Sequence, residues 1–164
     1  MSGKEHLLFG ITTTSVFTFC FLENEPATTT ACLIAGASLG SLFPDIDHPK
    51  SLIGRFFPFL SRTLYLSGHR ETTHDLFWWT IILALLAYKF PILSGFSYGY
   101  VGHLIMDSFT AEGVPFCRPF YKKNVHALPY CMKFYSGGIA SHFVTVLITA
   151  GISALIYYAK QILL

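Results

Sequence analysis

Charged residues are scarce in this chain. They make up 12% of its 164 residues, compared with about 25% in typical soluble proteins. Hydrophobic residues make up 52%, and the mean hydropathy is +0.51. This composition excludes an ordinary soluble domain and predicts an integral membrane protein. The length fits one domain over residues 1–164.

Three further absences argue against particular partners, sites and processing. No dense block of Lys and Arg is present and the net charge is only +2, so no nucleic-acid partner is expected. The four cysteines lack the pair spacing of zinc sites. We interpret Cys20 and Cys32 as small buried residues, with a disulfide between them as the alternative. No small-residue cleavage site precedes Glu23, so an uncleaved first span is expected.

Five apolar segments can be drawn, and several are shorter than the roughly 20 residues of a full span. Extending the first back to Gly3, the third back to Thr72 and the fourth forward to Phe109 brings them near that length. The sequence therefore predicts an all-α membrane bundle of about four to five transmembrane helices. The segments are Leu7–Leu22, Ala27–Phe43, Leu76–Phe90, Ile92–Ile105 and Ile139–Leu164.

Three other stretches have distinct patterns. Small residues between Ser94 and Gly102 dilute the fourth segment and favour close helix packing over lipid exposure. Ser51–Leu66 mixes arginines with apolar residues around Pro58, which predicts a kinked interfacial helix along the membrane. Ala111–Ser136 is polar and basic, and we expect an ordered loop over the site.

Histidine and aspartate residues gather at the ends of these segments. Because successive spans alternate in direction, four separate elements bring these ends to one side of the membrane. Most Lys and Arg residues fall on the same side, so the positive-inside rule predicts that it faces the cytoplasm. Ionisable groups beside lipid are costly unless paired or coordinated, which predicts a metal site. The candidate ligands are His6, Asp45, Asp47, His48, His69, His74, His103 and Asp107.

The spacing of these residues indicates how they could converge. His103 and Asp107 differ by about 40° on a helix, so both face one way. His69 and His74 converge only if His69 precedes the helix that His74 begins. Between Pro44 and Pro49 an irregular segment is expected. On an extended strand Asp45 and Asp47 would share a side with His48 opposed, and our order of preference as ligands is Asp45, Asp47, then His48.

Eight candidate donors exceed the needs of one ion. Two ions about 3.5–4 Å apart that share a carboxylate would use about six to eight protein groups. Imidazole and carboxylate suit zinc, and also manganese or iron. Each residue alone has a simpler interpretation: a histidine at a helix end is often an interfacial hydrogen-bonding residue, as for His6 beside Glu5, and an aspartate after proline often caps a turn.

Four ordered motifs contain these residues: Glu5-His6-Leu7-Leu8-Phe9, Pro44-Asp45-Ile46-Asp47-His48-Pro49, His69-Arg70-x-x-Thr73-His74 and Gly102-His103-Leu104-x-x-Asp107-x-x-Thr110. Together they resemble the YdjM-like bacterial inner-membrane proteins, which are described as membrane-bound metal-dependent hydrolases. The match runs from residue 5 to about Pro119. The chain departs from the family's usual histidine motif at Glu71-Thr72, where Gly-Phe is usual, and at Asp75, where Ser is usual.

The residue order is also similar, more distantly, to the zinc-dependent phospholipase C and single-strand nuclease superfamily. The later His-x-x-x-Glu element of that superfamily is missing here, which favours two metal ions over three. These resemblances imply a multi-pass protein of the bacterial inner membrane that hydrolyses a phosphoester, with a membrane lipid as the natural substrate or partner. We expect Asp47 to act as the base, and Arg70, Arg118 and Lys122 to hold the anionic group.

Two other functional classes stay open. A metal transporter should carry ionisable residues at mid-bilayer depth, and the middle of each predicted span is nearly free of them. A metal-binding adaptor or sensor without catalysis is the stronger alternative, because Glu71 and Asp75 could mark a repurposed site. The sequence does not predict an oligomeric state.

Overall fold

The computed structural model describes residues 1–66, 73–74, 90–115, 123–129 and 134–163. Within these ranges the chain forms five α-helices and one 3-10 helix, and no strand, which confirms the all-α prediction for this part. The elements are α1 (Gly3–Phe21), α2 (Ala27–Leu42), the 3-10 helix (Phe43–Asp47), α3 (Pro58–Leu66), α4 (Pro91–Ser108) and α5 (Ile139–Leu163).

The helix ends follow local signals in the sequence. At the start of α1, the carboxylate of Glu5 accepts a hydrogen bond from the backbone N–H of Ser2, which supplies a capping interaction. Helix α4 begins at Pro91, where a fixed φ and a missing N–H are tolerated. Helix α1 begins at Gly3 and helix α4 ends at Ser108, so the predicted extensions of the first segment to Gly3 and of the fourth to Phe109 are confirmed to within a residue. The third predicted segment, apart from Phe90, lies outside the described residues.

The predicted interfacial helix is shorter than expected. Residues 51–57 form turns, and only Pro58–Leu66 is helical. The turn is tightly packed at Gly54, since a Cβ atom there would clash with the backbone oxygen of His48. Residues before Pro58 therefore form a turn and not a helix, and Pro58 begins the helix instead of kinking it.

Glycines bring α2 and α4 into backbone contact, and these two helices share the most extensive interface in the described fold. A Cβ atom at Gly40 would clash with the carbonyl oxygen of Phe96, and one at Gly99 with that of Ala37. The close packing predicted for α4 is confirmed, and its partner is α2. Gly36 and Gly95 stand in the same relation to Ile92 and Leu33.

Helix α1 packs against α2, α4 and α5. A small apolar cluster of Tyr100, Leu104 and Val114 packs against Phe43, directly after α2. Another, formed by Met1, Phe9 and Met106, packs against apolar side chains of α5. Both clusters adjoin the end of the bundle where the candidate ligands lie.

The polar loop after α4 is tied to that same end. Val114 and Val125 exchange backbone hydrogen bonds of 2.8 and 3.1 Å, and Ala111 N–H donates to the Phe134 carbonyl. The loop is therefore ordered over the residues described, as predicted.

Two described helical stretches are long and apolar enough to cross a membrane, namely Ala27–Asp47 and Ile139–Leu163. The outer face of α5 is apolar and exposed, as expected beside lipid, for example at Ile139, Phe143 and Leu155. At the opposite end of the bundle, Lys160 pairs with Glu23 at 3.4 Å. Cys20 is buried as predicted, whereas Cys32 is exposed, so the prediction of a buried residue is wrong for Cys32. Both cysteines are free, and the disulfide alternative is not formed.

A matched pair of alanine substitutions tests the glycine interface. We expect Gly40→Ala to lower the free energy of unfolding in detergent by about 1–3 kcal/mol, because the new methyl group would push two helix backbones apart. Gly151→Ala should be neutral or slightly stabilising, because Gly151 lies in α5 with no atom within 4 Å of its Cβ position. Equal effects of the two substitutions would contradict the close packing.

Candidate metal centre

Four separate segments bring imidazole and carboxylate groups to one point. His6 comes from α1, Asp45 from the 3-10 helix, His74 from the described pair 73–74, and His103 with Asp107 from α4. Neighbouring nitrogen and carboxylate oxygen atoms lie 3.2–4.0 Å apart. This is close to the spacing of about 3.4 Å between donors in a tetrahedral site with bonds of about 2.1 Å.

His103 is oriented by the backbone of α2. Its Nδ1 lies 2.7 Å from the carbonyl oxygen of Ser41. Because a carbonyl only accepts, Nδ1 carries the hydrogen and Nε2 of the neutral ring carries the lone pair. Nε2 is buried and has no hydrogen-bond partner in the described residues. It lies 3.7 Å from both Asp45 Oδ1 and Asp107 Oδ2.

His74 is oriented by a relay of side chains. The hydroxyl of Thr73 donates to Asp47 Oδ2 at 2.9 Å and lies 3.1 Å from His74 Nδ1. The hydroxyl therefore accepts from Nδ1, and His74 Nε2 faces Asp45 Oδ1 at 4.0 Å. Tyr100 secures this segment to α4, because its hydroxyl donates to the Thr73 carbonyl at 2.8 Å.

His6 stacks on His103, with ring centroids 3.6 Å apart and ring planes inclined by 14°. Its Nε2 lies 3.2 Å from Asp107 Oδ1. A histidine at the end of a first span, which alone could be an interfacial residue, is thus fully buried among other candidate ligands.

The two oxygens of Asp107 face different neighbours. Oδ1 faces His6 and also contacts the α-amino nitrogen of Met1, whereas Oδ2 lies 3.9 Å from His74 Nε2 and 3.7 Å from His103 Nε2. The Asp107 carboxylate therefore contacts both histidines of its own donor group and His6 of the other.

The donor chemistry fits a divalent metal ion. Two overlapping groups have donor atoms within 4.8 Å of one another: His6, Asp45 and His103, and His74, His103 and Asp107. Three imidazoles and two carboxylates suit zinc, manganese or iron. Since His103 Nε2 has one lone pair, it can bind only one ion, so the two groups cannot both be complete at the same time.

A cavity of about 580 Å³ opens beside these donors. Asp45 is the member of the two donor groups that lines it, and its side chain is 16% exposed. The side chains of His6, His74, His103 and Asp107 are buried. A ligand could therefore approach the cluster from the Asp45 side.

Comparison with known proteins identifies the family. The family model described as YdjM inner membrane protein matches residues 1–163. The chain belongs to the YdjM inner membrane protein family.

Individual relatives agree with this family. The chain is 32% identical over 123 residues to the Uncharacterized protein YvsG of Bacillus subtilis (strain 168), covering 73% of this chain and 74% of that protein. It is 32% identical over 134 residues to the Inner membrane protein YdjM of Escherichia coli (strain K12), covering 73% of this chain and 66% of that protein. No solved structure matches the chain, and the resemblance to the phospholipase C superfamily stays a prediction.

The geometry separates Asp45 from Asp47 in this YdjM-family chain. The expected extended strand is instead a 3-10 helix, in which residues two apart differ in direction by about 120°. Asp45 reaches the donor cluster, while the buried Asp47 accepts from Thr73. Asp47 thus lies behind His74 and belongs to neither donor group among the described residues.

Other predicted residues have separate outcomes. His48 lines the cavity and its ring lies edge-on to Tyr65, but it too is outside both donor groups within the described ranges. His126 and His142 also lie outside both donor groups within the described ranges, and His142 contacts Glu5 at 2.8 Å. The predicted ligand His69 and the predicted anion-holding residues Arg70, Arg118 and Lys122 lie outside the described residues, as do Glu71 and Asp75.

Two supporting elements were missed by sequence reasoning. The first is the Ser41 carbonyl, for which the small residues Gly36, Gly40 and Ser41 in α2 were an available signal of close packing. The second is the Thr73 hydroxyl. Thr73 directly precedes the predicted ligand His74 in the sequence, but its contact with Asp47 exists only in the folded chain.

The Thr73 relay predicts a measurable change in metal affinity. We expect Thr73→Val to weaken zinc binding by about 10–100-fold, as loss of an outer-shell partner does. Thr63→Val is the matched control, because the Thr63 hydroxyl donates to the Phe59 carbonyl within the exposed helix α3, away from the donor cluster, and it should leave affinity unchanged. Competition with a chromogenic chelator measures both. Equal zinc affinities for Thr73→Val and wild type would contradict a role for the Thr73 hydroxyl in orienting His74.

Proposed function

We propose that this YdjM-family protein is a membrane-bound metal-dependent hydrolase that acts on phosphoesters. The observation that carries the proposal is the convergence of three imidazoles and two carboxylates from four segments, with Asp45 open to a cavity. Burying imidazoles and carboxylates together is costly unless cations offset their charge and fill their lone pairs. The α-amino group of Met1 contacts one oxygen of Asp107, and a bound divalent ion would serve the other donors.

The metal-holding residues in this proposal are His6, Asp45, His74, His103 and Asp107, with His69 a further predicted ligand. Two ions are proposed, zinc first and manganese or iron as alternatives. Asp107 would be the carboxylate able to serve both, because its two oxygens face different histidines. Such ions supply Lewis-acid activation of water and of a phosphoryl oxygen.

The remaining residues have positioning and proton-transfer roles. Because Asp47 accepts from Thr73, we assign it to orienting His74 instead of the base role predicted from sequence. Asp45 lies on the cavity wall, so the oxygen of its carboxylate that does not hold metal is better placed than Asp47 to accept a proton from a water there. Arg70, Arg118 and Lys122 stay predictions for holding the anionic group.

A lipid phosphoester is the proposed substrate because of where the cavity lies. Next to it, the turn after residue 50 and helix α3 expose aromatic and aliphatic side chains, including Phe56, Phe59 and Leu66 at 82–87%. Such residues favour the membrane interface. We propose four to five transmembrane helices, α1 and α4 among them, since helices of 19 and 18 residues are about 27–29 Å long. We also propose that the site faces the cytoplasm.

The alternative is a metal-binding adaptor or sensor without catalysis. One observation favours it: four of the five donor side chains are buried, as in closed structural sites. Metal transport is less supported, because the donors gather at one end of the bundle.

Phosphoester turnover by the purified, metal-loaded chain tests the proposal. We expect hydrolysis of a lipid phosphomonoester or phosphodiester, and loss by more than about 100-fold in Asp107→Asn, because the substitution removes the charge that two cations would share. The control His142→Gln changes a 61%-exposed histidine outside the cluster and should keep full activity. Bound metal without turnover on any phosphoester would support the adaptor or sensor instead.

A further inference from the structure

We propose that Lys4, Lys50 and Arg55 form the site that binds the phosphate group of the substrate. This inference deepens the proposed function and rests on it for the identity of the substrate. Sequence reasoning assigned anion binding to Arg70, Arg118 and Lys122, whereas these three basic residues line the cavity beside Asp45.

The cavity has the size and charge of an anion-binding site. Its volume of about 580 Å³ falls within the roughly 300–1,000 Å³ typical of small-molecule sites. Three basic side chains line it together with two carboxylates, Asp45 and Glu112. A metal ion held at Asp45 would offset that carboxylate, so the loaded cavity would be strongly positive.

The three basic side chains lack acidic partners in the described part of the chain. Lys160, at the far end of the bundle, pairs with Glu23, whereas no described ion pair involves Lys4, Lys50 or Arg55. Arg55 is held in another way, because its Nε donates to the Lys50 carbonyl at 3.2 Å. Their charges are therefore available to a ligand.

The turn that carries Lys50 and Arg55 is fixed to the candidate metal ligand. Ser51 Oγ donates to the Asp45 carbonyl at 2.7 Å and accepts from Gly54 N–H at 2.9 Å. These bonds set the distance between the basic turn and Asp45, so a phosphate bound by the turn would lie next to the metal donors. Lys4 faces the same space from the first turn of α1, where backbone N–H groups also favour an anion.

Phosphate binding to the full chain in neutral-lipid nanodiscs tests the site. Inorganic phosphate is the probe, titrated by calorimetry into wild type, Lys50→Gln, Arg55→Gln and the control Arg62→Gln, whose side chain is exposed on α3 and outside the cavity lining. We expect Kd to rise about tenfold for each cavity variant, as loss of a charge-assisted hydrogen bond implies, and less than twofold for the control. Thermal unfolding confirms that each variant is folded.

A second arm identifies the source of the phosphate group. Nanodiscs that contain phosphatidic acid should weaken phosphate binding to wild type if a lipid headgroup enters the cavity. Unchanged binding there, with the variants still impaired, supports the same site for a soluble phosphoester.

The outcomes separate this site from the proposed hydrolase. Wild-type phosphate affinity in both cavity variants overturns the anion site, even if metal binding and turnover are intact. Impaired phosphate binding in the variants, together with no turnover by metal-loaded wild type, keeps the anion site and overturns the hydrolase.

Discussion

The hydrogen bond between His103 Nδ1 and the Ser41 carbonyl is the interaction on which the rest of the site depends. It exists because glycines let the backbones of α2 and α4 approach within van der Waals contact. The bond fixes the tautomer of His103 and points its lone pair at Asp45 and Asp107. Close packing at small residues is typical of membrane helices. Here it brings the Ser41 carbonyl to His103, and metal-binding histidines commonly have such an orienting partner.

The same α2–α4 pair positions the other groups. The 3-10 helix continues directly from α2 and carries Asp45. On α4, Tyr100 holds the Thr73–His74 segment, and Asp107 faces His6. The candidate site is therefore built at one end of a helix pair, with α1 completing it and the basic turn after Asp47 closing one side of the cavity. Rigid support and an open face occur together, which is what a binding site at a membrane surface requires.

Sequence patterns predicted the helices well, because long apolar stretches bounded by Pro, Gly and polar residues leave few alternatives. They also predicted that His6, Asp45, His74, His103 and Asp107 would meet, since alternating spans bring those ends to one side. The different directions of Asp45 and Asp47 could not be predicted, because an extended segment and a 3-10 helix are equally compatible with two flanking prolines. The roles of Ser41 and Thr73 depend on which helices pack together, and periodicity carries no information about that.

X-ray absorption spectroscopy of the zinc-loaded protein decides whether these histidines and carboxylates bind metal, because it reports the atoms bound to the ion. We expect a shell of nitrogen and oxygen atoms at about 2.0–2.1 Å with the outer-shell scattering of at least two imidazoles and no sulfur. A protein that retains no zinc after dialysis, or a shell of oxygen atoms without imidazole scattering, would contradict it.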